Sequence, residues 1–501
     1  MLMAFSGVCL GAPATHGKAH HVVVMVWDGM RPDFVTEKTT PNLWKLAQGG
    51  VTFRRHHPAF PSSTEVNGTV MATGVYPERS GLMANREYRP EVDPLQSVGT
   101  ELPTTMQRQD AHGAPYLAVP TVAEMVKGRV AVAGSKGVAL LQDWAKTGKS
   151  GGGRNSVVFF DGKTEPQEEM AELTGTLGAW PETIEFPNVP EDQWTTRALT
   201  EVMWSKGLPA YSMLWMSDPD YSQHQMAPGS PMALAALKSV DDRLGAMLEA
   251  LDSKGLRNDT DIFVISDHGF STIKRSSDVL GPMAAAGLKV TGTGFDHEPQ
   301  PGEIMAVNNG GSMMFYVIGR DKDIGRKLTE IVQKSDYAGV IFSRWKLPGT
   351  FDLHTGWIAT QKAPDVVMAF HWTGEPNIYG TPGSLDADAP RKVGKGTHAS
   401  LSAYDMHNTL IAAGPDFRKG WADETPTGNI DLAPTVLWIL GVPQVKRMDG
   451  RVLLEAMPGH RLGRKVTQEV LRAQNPETGW KQYLKVSRVG TTEYFDEGNR
   501  E

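Results

Sequence analysis

Several short segments of this sequence place acid or imidazole groups directly behind apolar runs. Asp28 follows HVVVMVW (residues 21–27), and Asp220 and His224 follow YSMLWM (211–216), within Pro219-Asp220-Tyr221-Ser222-Gln223-His224. Asp267 and His268 follow DIFVIS (261–266), and His398 sits in the glycine-bearing loop Gly396-Thr397-His398. Carboxylates mixed with imidazoles are the donors that zinc and other divalent cations take at neutral pH. Each piece alone is ordinary, since an Asp behind a strand is usually a turn residue and an Asp-His pair usually a structural hydrogen bond. Repetition at successive strand ends is what points to a shared site.

A hydroxyl-bearing segment joins them: Phe60-Pro61-Ser62-Ser63-Thr64-Glu65-Val66-Asn67, followed by Met71-Ala72-Thr73-Gly74-Val75-Tyr76-Pro77-Glu78. A hydroxyl in the first turn of a helix meets unpaired backbone N–H groups and the positive end of the dipole, where phosphate binds. The plainer reading makes Ser63 or Thr64 an N-cap.

The elements that must position these groups follow from the apolar patterning. Residues 21–27 form a continuous β-branched run, which predicts a strand buried on both faces of a parallel sheet. Residues 211–216 and 261–266 predict two more strands, and in an open parallel sheet ligands bind at the carboxyl ends of the strands. Between them, Leu234, Leu237, Val240, Leu244, Met247, Leu248 and Leu251 recur at helical spacing, predicting a helix over 231–251. Asp241, Asp242, Arg243 and Glu249 fall on its other face, expected to be solvated. Strand, helix and strand make a βαβ unit with a right-handed crossover. Shorter helices are expected at 41–49 and 429–440, with Pro434 in the first turn of the latter. Residues 90–200 and 275–385 are rich in Gly, Pro and Thr and contain short strands, such as 156–160 and 312–318. They read as insertions or a cap beside the sheet. The expected fold is α/β: a doubly wound, mostly parallel sheet with helices on both faces and a smaller inserted cap.

Composition narrows the class. The chain has 501 residues, 40% apolar content and a formal net charge of -7. That is enough for a large core and is not the balance of a protein that binds nucleic-acid backbone. No run reaches the ~20 apolar residues of a membrane span. No P-loop, no G-x-S-x-G elbow and no internal repeat is present, and Gly151-Gly152-Gly153 is a loop. Cys9 is the one cysteine. It lies in the apolar, small-residue stretch 1–14, which ends in Ala12-Pro13-Ala14 and resembles a secretory signal without its basic start. Removal of that segment leaves no thiolate, so a metal would be held by His and carboxylate.

Together these segments resemble the alkaline phosphatase superfamily, most closely its type I phosphodiesterase and nucleotide pyrophosphatase branch. The resemblance covers about residues 20–90, 205–275 and 390–456, with five motifs in order. It implies an alkaline-phosphatase-like catalytic domain over 20–456, preceded by a signal and leader (1–19) and followed by a C-terminal extension (457–501). It implies two divalent metal ions, zinc by family habit. Asp220, His224 and His398 would hold one, and Asp28, Asp267, His268 and the Thr64 oxygen the other. Thr64 takes the nucleophile position, nine residues before Thr73-Gly74-x-Tyr76-Pro77, and Asn67 matches an Asn that hydrogen-bonds a phosphoryl oxygen. Asn85 and Tyr88 resemble the branch's Asn-x-x-Tyr. Arg86 and Arg89 read equally as substrate-binding cations and as surface ion pairs. Two departures stand out: Phe-Pro-Asn normally surrounds the branch's Thr and Asn, whereas here Ser62-Ser63 precede Thr64 and Glu65-Val66 separate it from Asn67, and Ala399 follows His398 where Gly is usual. Of the other histidines, His20, His21, His56, His57, His297, His354, His371 and His407 are expected to be structural or at the surface.

The expected activity is metal-dependent hydrolysis of phosphodiester or nucleotide pyrophosphate bonds through a phosphothreonine intermediate, by a secreted or periplasmic enzyme acting on a small phosphate ester or nucleotide. The alternatives are a phosphomonoesterase, with a cation over the extra charged oxygens; a phosphonoacetate-type hydrolase; and a metal-stabilised binding protein without catalysis. Asn85 and Tyr88 favour a diester, while Arg86 and Arg89 keep the monoester open.

Overall fold

The structure is a computed structural model that describes residues 16–111, 115–144, 156–443, 447–460 and 463–501. Residues 1–15, with the expected secretory signal and Cys9, lie outside the described residues, as does the glycine run 151–153.

A nine-stranded mixed sheet forms the centre. Numbered along the chain, its strands are β1 (His21–Trp27), β2 (Val51–Phe53), β3 (Val130–Gly134), β4 (Ser156–Phe160), β5 (Lys163–Glu165), β6 (Tyr211–Met216), β7 (Thr260–Ile265), β8 (Leu410–Ala413) and β9 (Trp421–Asp423). The order across the sheet is β9-β2-β8-β7-β1-β6-β3-β4-β5. The run β7-β1-β6-β3-β4 is parallel throughout, and antiparallel pairs occur at β7-β8, β8-β2 and β4-β5.

Strand β1 shows why this sequence is a central strand. Alternate residues of a strand point to opposite faces. Val22, Val24 and Val26 enter one core, with Val66, Val70, Val436 and Leu437. Val23, Met25 and Trp27 enter the other, with Leu43, Leu237, Val240 and Leu244. Each such buried side chain contributes roughly 1.5–3 kcal/mol relative to exposure. Helices α1 (Pro41–Gly49) and α3 (Pro231–Ser253) cover the second face; α2 (Thr64–Thr73) and α4 (Leu432–Ile439) cover the first.

The sequence expectations hold for the sheet and need correction elsewhere. The two strands of the βαβ unit, β6 and β7, do not pair with each other, because the more apolar β1 lies between them. Asp241 is not solvated: it is buried and accepts hydrogen bonds from the backbone N–H of Asn42 and Leu43, at the start of α1. Strands β3, β4 and β5, which fall within the expected insertion 90–200, belong to the central sheet. Region 275–385 does supply a separate layer, a six-stranded sheet that includes Ile304–Asn308, Ser312–Val317, Ala338–Ser343 and Val366–Phe370. The C-terminal residues pack on that layer as an antiparallel sheet of Val466–Asn475, Trp480–Val489 and Thr492–Arg500. Gln482 bonds both backbone groups of Ile341, and Leu484, Val486 and Phe495 share a core with Val340 and Phe342.

Candidate metal centre

The carboxyl ends of four neighbouring strands converge. Strand β1 delivers Asp28, β6 delivers Asp220, β7 delivers Asp267 and His268, and β3 delivers Lys136. The short helix Asp220–Met226 carries Asp220 and His224 one turn apart, a spacing that puts both on one face. His398 arrives on the loop behind the strand Gly396–Thr397. Gly29, at φ +72°, makes the turn after Asp28; a Cβ there would lie 2.9 Å from the Phe270 ring.

The ligand atoms fall into two groups. Asp28, Asp267 and His268 form one, and Asp220 with His398 the other, with His268 in reach of both and all atoms of each group within 4.8 Å. His268 Nε2 lies 3.1 Å from Asp267 Oδ2 and 3.2 Å from Thr64 Oγ1, which assigns it to the first group. Asp220 Oδ1 lies 3.3 Å from His224 Nε2 and 3.5 Å from His398 Nε2.

These atoms suit a cation. Asp28 Oδ1, Asp220 Oδ1 and Asp267 Oδ2 are buried without hydrogen-bond partners. The Nδ1 atoms of His268, His398 and His224 lie 2.8, 2.9 and 3.0 Å from the carbonyl oxygens of Gly269, Ser62 and Gly396. A carbonyl can only accept, so each Nδ1 carries a proton, which leaves Nε2 as the ring atom that can offer a lone pair to a metal. Burial lowers the pKa of His268, and lowers that of His398 further with the neighbouring His268 ring. Three orphaned carboxylate oxygens, three imidazole lone pairs and a hydroxyl, without a thiolate, fit two divalent ions of the zinc type.

The carboxylates outweigh the fold's own cations. Burial pushes Asp28 well above the usual range, and the Asp267 charge adds to this. Burial pushes Asp267 up to about 7 against the pull of Lys136. Asp220 is also buried, yet Lys136 and His224 hold it well below the usual range. Lys136 Nζ lies 2.9 Å from Asp28 Oδ2 and 3.0 Å from Asp220 Oδ2. Trp215 Nε1 donates to the same Asp28 oxygen at 2.9 Å. The buried Asp405 accepts from both Ser271 and Ser400, tying the segments that follow His268 and His398.

Thr64 is the first residue of α2, and its N-cap Ser63 makes no side-chain cap bond. Asn85 Oδ1 accepts the N–H of Glu65, next to Thr64, at 3.2 Å, while among the described residues its Nδ2 has no hydrogen-bond partner. Burial, with the charge of the nearby Glu101, pushes the pKa of Glu65 well up.

Four of the candidate substrate-binding residues point elsewhere. Asn67 is fully buried; its Oδ1 accepts from Ala59 N and Asn429 Nδ2, and its Nδ2 donates to Ala59 O and Ser63 O. It is a brace for residues 59–63, with no polar atom left for phosphate. Arg86 reaches out to Ser97, and the Tyr88 hydroxyl donates to Pro94 O while its ring packs on Tyr316. Arg89 is buried against Glu87 and the Tyr116 ring. Asn85, expected as a substrate-binding residue, does lie beside Thr64, while Lys136 is a cation at the centre that the motifs did not assign. Lys136 was findable by the same strand-end rule, two residues beyond VAVAG. Among the described residues, His56 bonds Thr427 and Asn429, and His297 bonds Asp296 and Glu303, away from the centre.

Among the described residues, no helix is long and apolar enough to cross a membrane. A family model described as type I phosphodiesterase / nucleotide pyrophosphatase matches residues 22–373. The Rattus norvegicus ectonucleotide pyrophosphatase/phosphodiesterase family member 7 is 24% identical over 273 residues, which is 54% of this chain and 54% of that protein. The match thus spans about half the length of that relative. The Xenopus laevis bis(5'-adenosyl)-triphosphatase enpp4 is 20% identical over 462 residues, 87% of this chain and 81% of that one. Among solved structures, murine ectonucleotide pyrophosphatase / phosphodiesterase 5 superposes with a TM-score of 0.57 at 16% identity, over 84% of this chain and 95% of that chain. The same murine protein has also been solved in an inactive form in complex with AMP.

Proposed function

This chain belongs to the type I phosphodiesterase / nucleotide pyrophosphatase family, and we propose that it hydrolyses phosphodiester or nucleotide pyrophosphate bonds with Thr64 as its nucleophile. The observation that carries this reading is the meeting of three elements at one point: the Thr64 hydroxyl, the start of α2, and two carboxylate–imidazole groups.

Asp28, Asp267, His268 and Thr64 would hold one divalent ion, and Asp220, His224 and His398 a second, zinc by donor chemistry. Bound there, the pair would supply Lewis acidity that lowers the hydroxyl pKa of Thr64 and of water and neutralises the leaving oxygen. The chain's own residues do the rest. Thr64 Oγ attacks phosphorus, the bond to the leaving group breaks, and water later cleaves the phosphothreonine. Asn85, held by the Glu65 N–H, turns its amide toward the helix start, where a donor meets charge on the non-bridging oxygens. We assign Asn85 the donor role that sequence resemblance gave to Asn67.

Arg86 and Arg89, the two cations named for a monoester, are directed away from the centre, while the ammonium that does stand there, Lys136, is paired with Asp28 and Asp220; the diester preference rests on the family's activity. The similarity to nucleotide pyrophosphatases, one of them solved in complex with AMP, makes a nucleotide a fitting substrate. Secretion or periplasmic export fits the apolar stretch 1–14; fractionation of the expressing cell tests it.

The test of the central reading is Thr64→Ala. Turnover of an aryl phosphate diester should fall by about three orders of magnitude or more, with two metal ions per chain retained by elemental analysis. Retained activity would remove Thr64 as nucleophile, and fewer than one ion per fully active chain would remove the two-metal scheme. A monoester preference above about a hundredfold, ~2.7 kcal/mol of differential transition-state binding, would reverse the substrate assignment.

A further inference from the structure

Lys136 belongs to none of the motifs, yet it touches both halves of the centre. It stands at the end of β3, with its side chain 12% exposed and its ammonium over the Tyr221 ring. Asp28 falls in one ligand group and Asp220 in the other. Each gives Lys136 its Oδ2, at 2.9 and 3.0 Å, and each keeps Oδ1 buried and without a hydrogen-bond partner. Those Oδ1 atoms face imidazole Nε2 atoms of the centre, 3.6 Å away for Asp28 and 3.3 Å for Asp220. Among the described residues, no other Lys or Arg makes an ion pair with Asp28, Asp220 or Asp267.

We propose that Lys136 is a positioning residue that carries part of the metals' charge for the protein. Before metal binds, its ammonium balances the buried carboxylates and fixes which oxygen of each faces inward. Once metal is bound, the same charge opposes the cations, so Lys136 weakens their binding and keeps them exchangeable. This rests on the reading of the cluster as a metal centre.

The sign follows from a thermodynamic cycle. Buried carboxylates without a counter-charge are costly. Removing the ammonium therefore harms the metal-free protein most, and harms the loaded protein less because divalent ions replace the charge. The difference must reappear as tighter metal binding. A lysine that only packed would move both forms equally and leave affinity unchanged.

Lys136→Met keeps most of the stem and removes the charge; Lys136→Arg keeps the charge. Zinc affinity is read by competition with a chelating dye, and thermal unfolding is followed with and without zinc. The Met variant should bind zinc at least tenfold more tightly, about 1.4 kcal/mol, and should gain more thermal stability on loading than the wild type. The Arg variant should stay near wild type. Equal or weaker zinc affinity in the Met variant, with the wild type loading normally, overturns the inference and leaves the metal centre standing. If the metal-free Met variant does not fold, zinc release from loaded protein into excess chelator decides: slower than wild type supports the inference, and equal or faster overturns it. A wild type that takes up no divalent ion removes the metal centre itself, and the inference with it.

Discussion

Two asparagines near the nucleophile should fail in different ways when truncated. Asn67→Ala removes an amide whose oxygen accepts from Ala59 N at 2.7 Å and Asn429 Nδ2 at 3.1 Å. Both donors sit in a region closed to water, and a stranded buried donor costs about 1–3 kcal/mol, so the loss of stability should be roughly 2–6 kcal/mol. Residual turnover per folded molecule should stay within about tenfold. Asn85→Ala removes a half-buried side chain with a single acceptor bond to Glu65 N–H. Stability should fall by about 1 kcal/mol, while kcat should fall by about 10²–10³, the usual worth of one preorganised donor to developing oxyanion charge. The assay is denaturant unfolding beside steady-state hydrolysis of an aryl diester, with activity corrected for the folded fraction. A hundredfold kcat loss in Asn67→Ala at wild-type stability, with Asn85→Ala near wild type, would refute this reasoning and return the donor role to Asn67.

Arg86→Ala should change stability by less than about 0.5 kcal/mol and diester turnover by less than about threefold, because its contacts are exposed ones to Ser97. Arg89→Ala should cost about 3–5 kcal/mol, since it strands Glu87 in a fully buried ion pair; urea unfolding of both variants checks the contrast. Burial holds His56 down to about 3, so this ring is neutral in the folded chain. The unfolded chain binds that proton more readily, so the stability contribution is complete above pH 6.5 and drains away as pH falls toward 3, at ~1.4 kcal/mol per unit. His56→Gln should flatten that part of the stability–pH curve; an unchanged slope between pH 6 and 4 would assign the acid sensitivity to other groups.

Much of the centre was legible because it rests on local rules. The runs at 21–27 and 211–216 end where the strands end, and the acids behind them sit where parallel strands bind ligands. Lys136 escaped because its strand, VAVAG, dilutes two valines with Ala and Gly, which have weak strand preference, in a Gly- and Pro-rich neighbourhood. Its place beside β6 is set by pairing with a distant strand, which no local pattern reports. The role of Asn67 was misplaced for a different reason. Every residue of α2 is buried, so helical phase does not tell the side facing the site from the side facing the core. Asp241 shows the same limit, since its partner is the start of a helix some two hundred residues earlier in the chain. Long-range acceptors and pairings, rather than propensities, decided each case.

The three imidazoles share a feature with a longer reach. Their Nδ1 protons are taken by main-chain oxygens of Gly269, Ser62 and Gly396 rather than by side chains. A side-chain acceptor can be lost by one codon change, whereas a peptide carbonyl survives any replacement that preserves the local trace. The lone pairs that face the centre are thus inherited with the backbone. Drift in the surrounding pocket can alter what is cut without first dismantling what cuts it, so descendants of such a scaffold can diversify in substrate while the inorganic chemistry stays buffered.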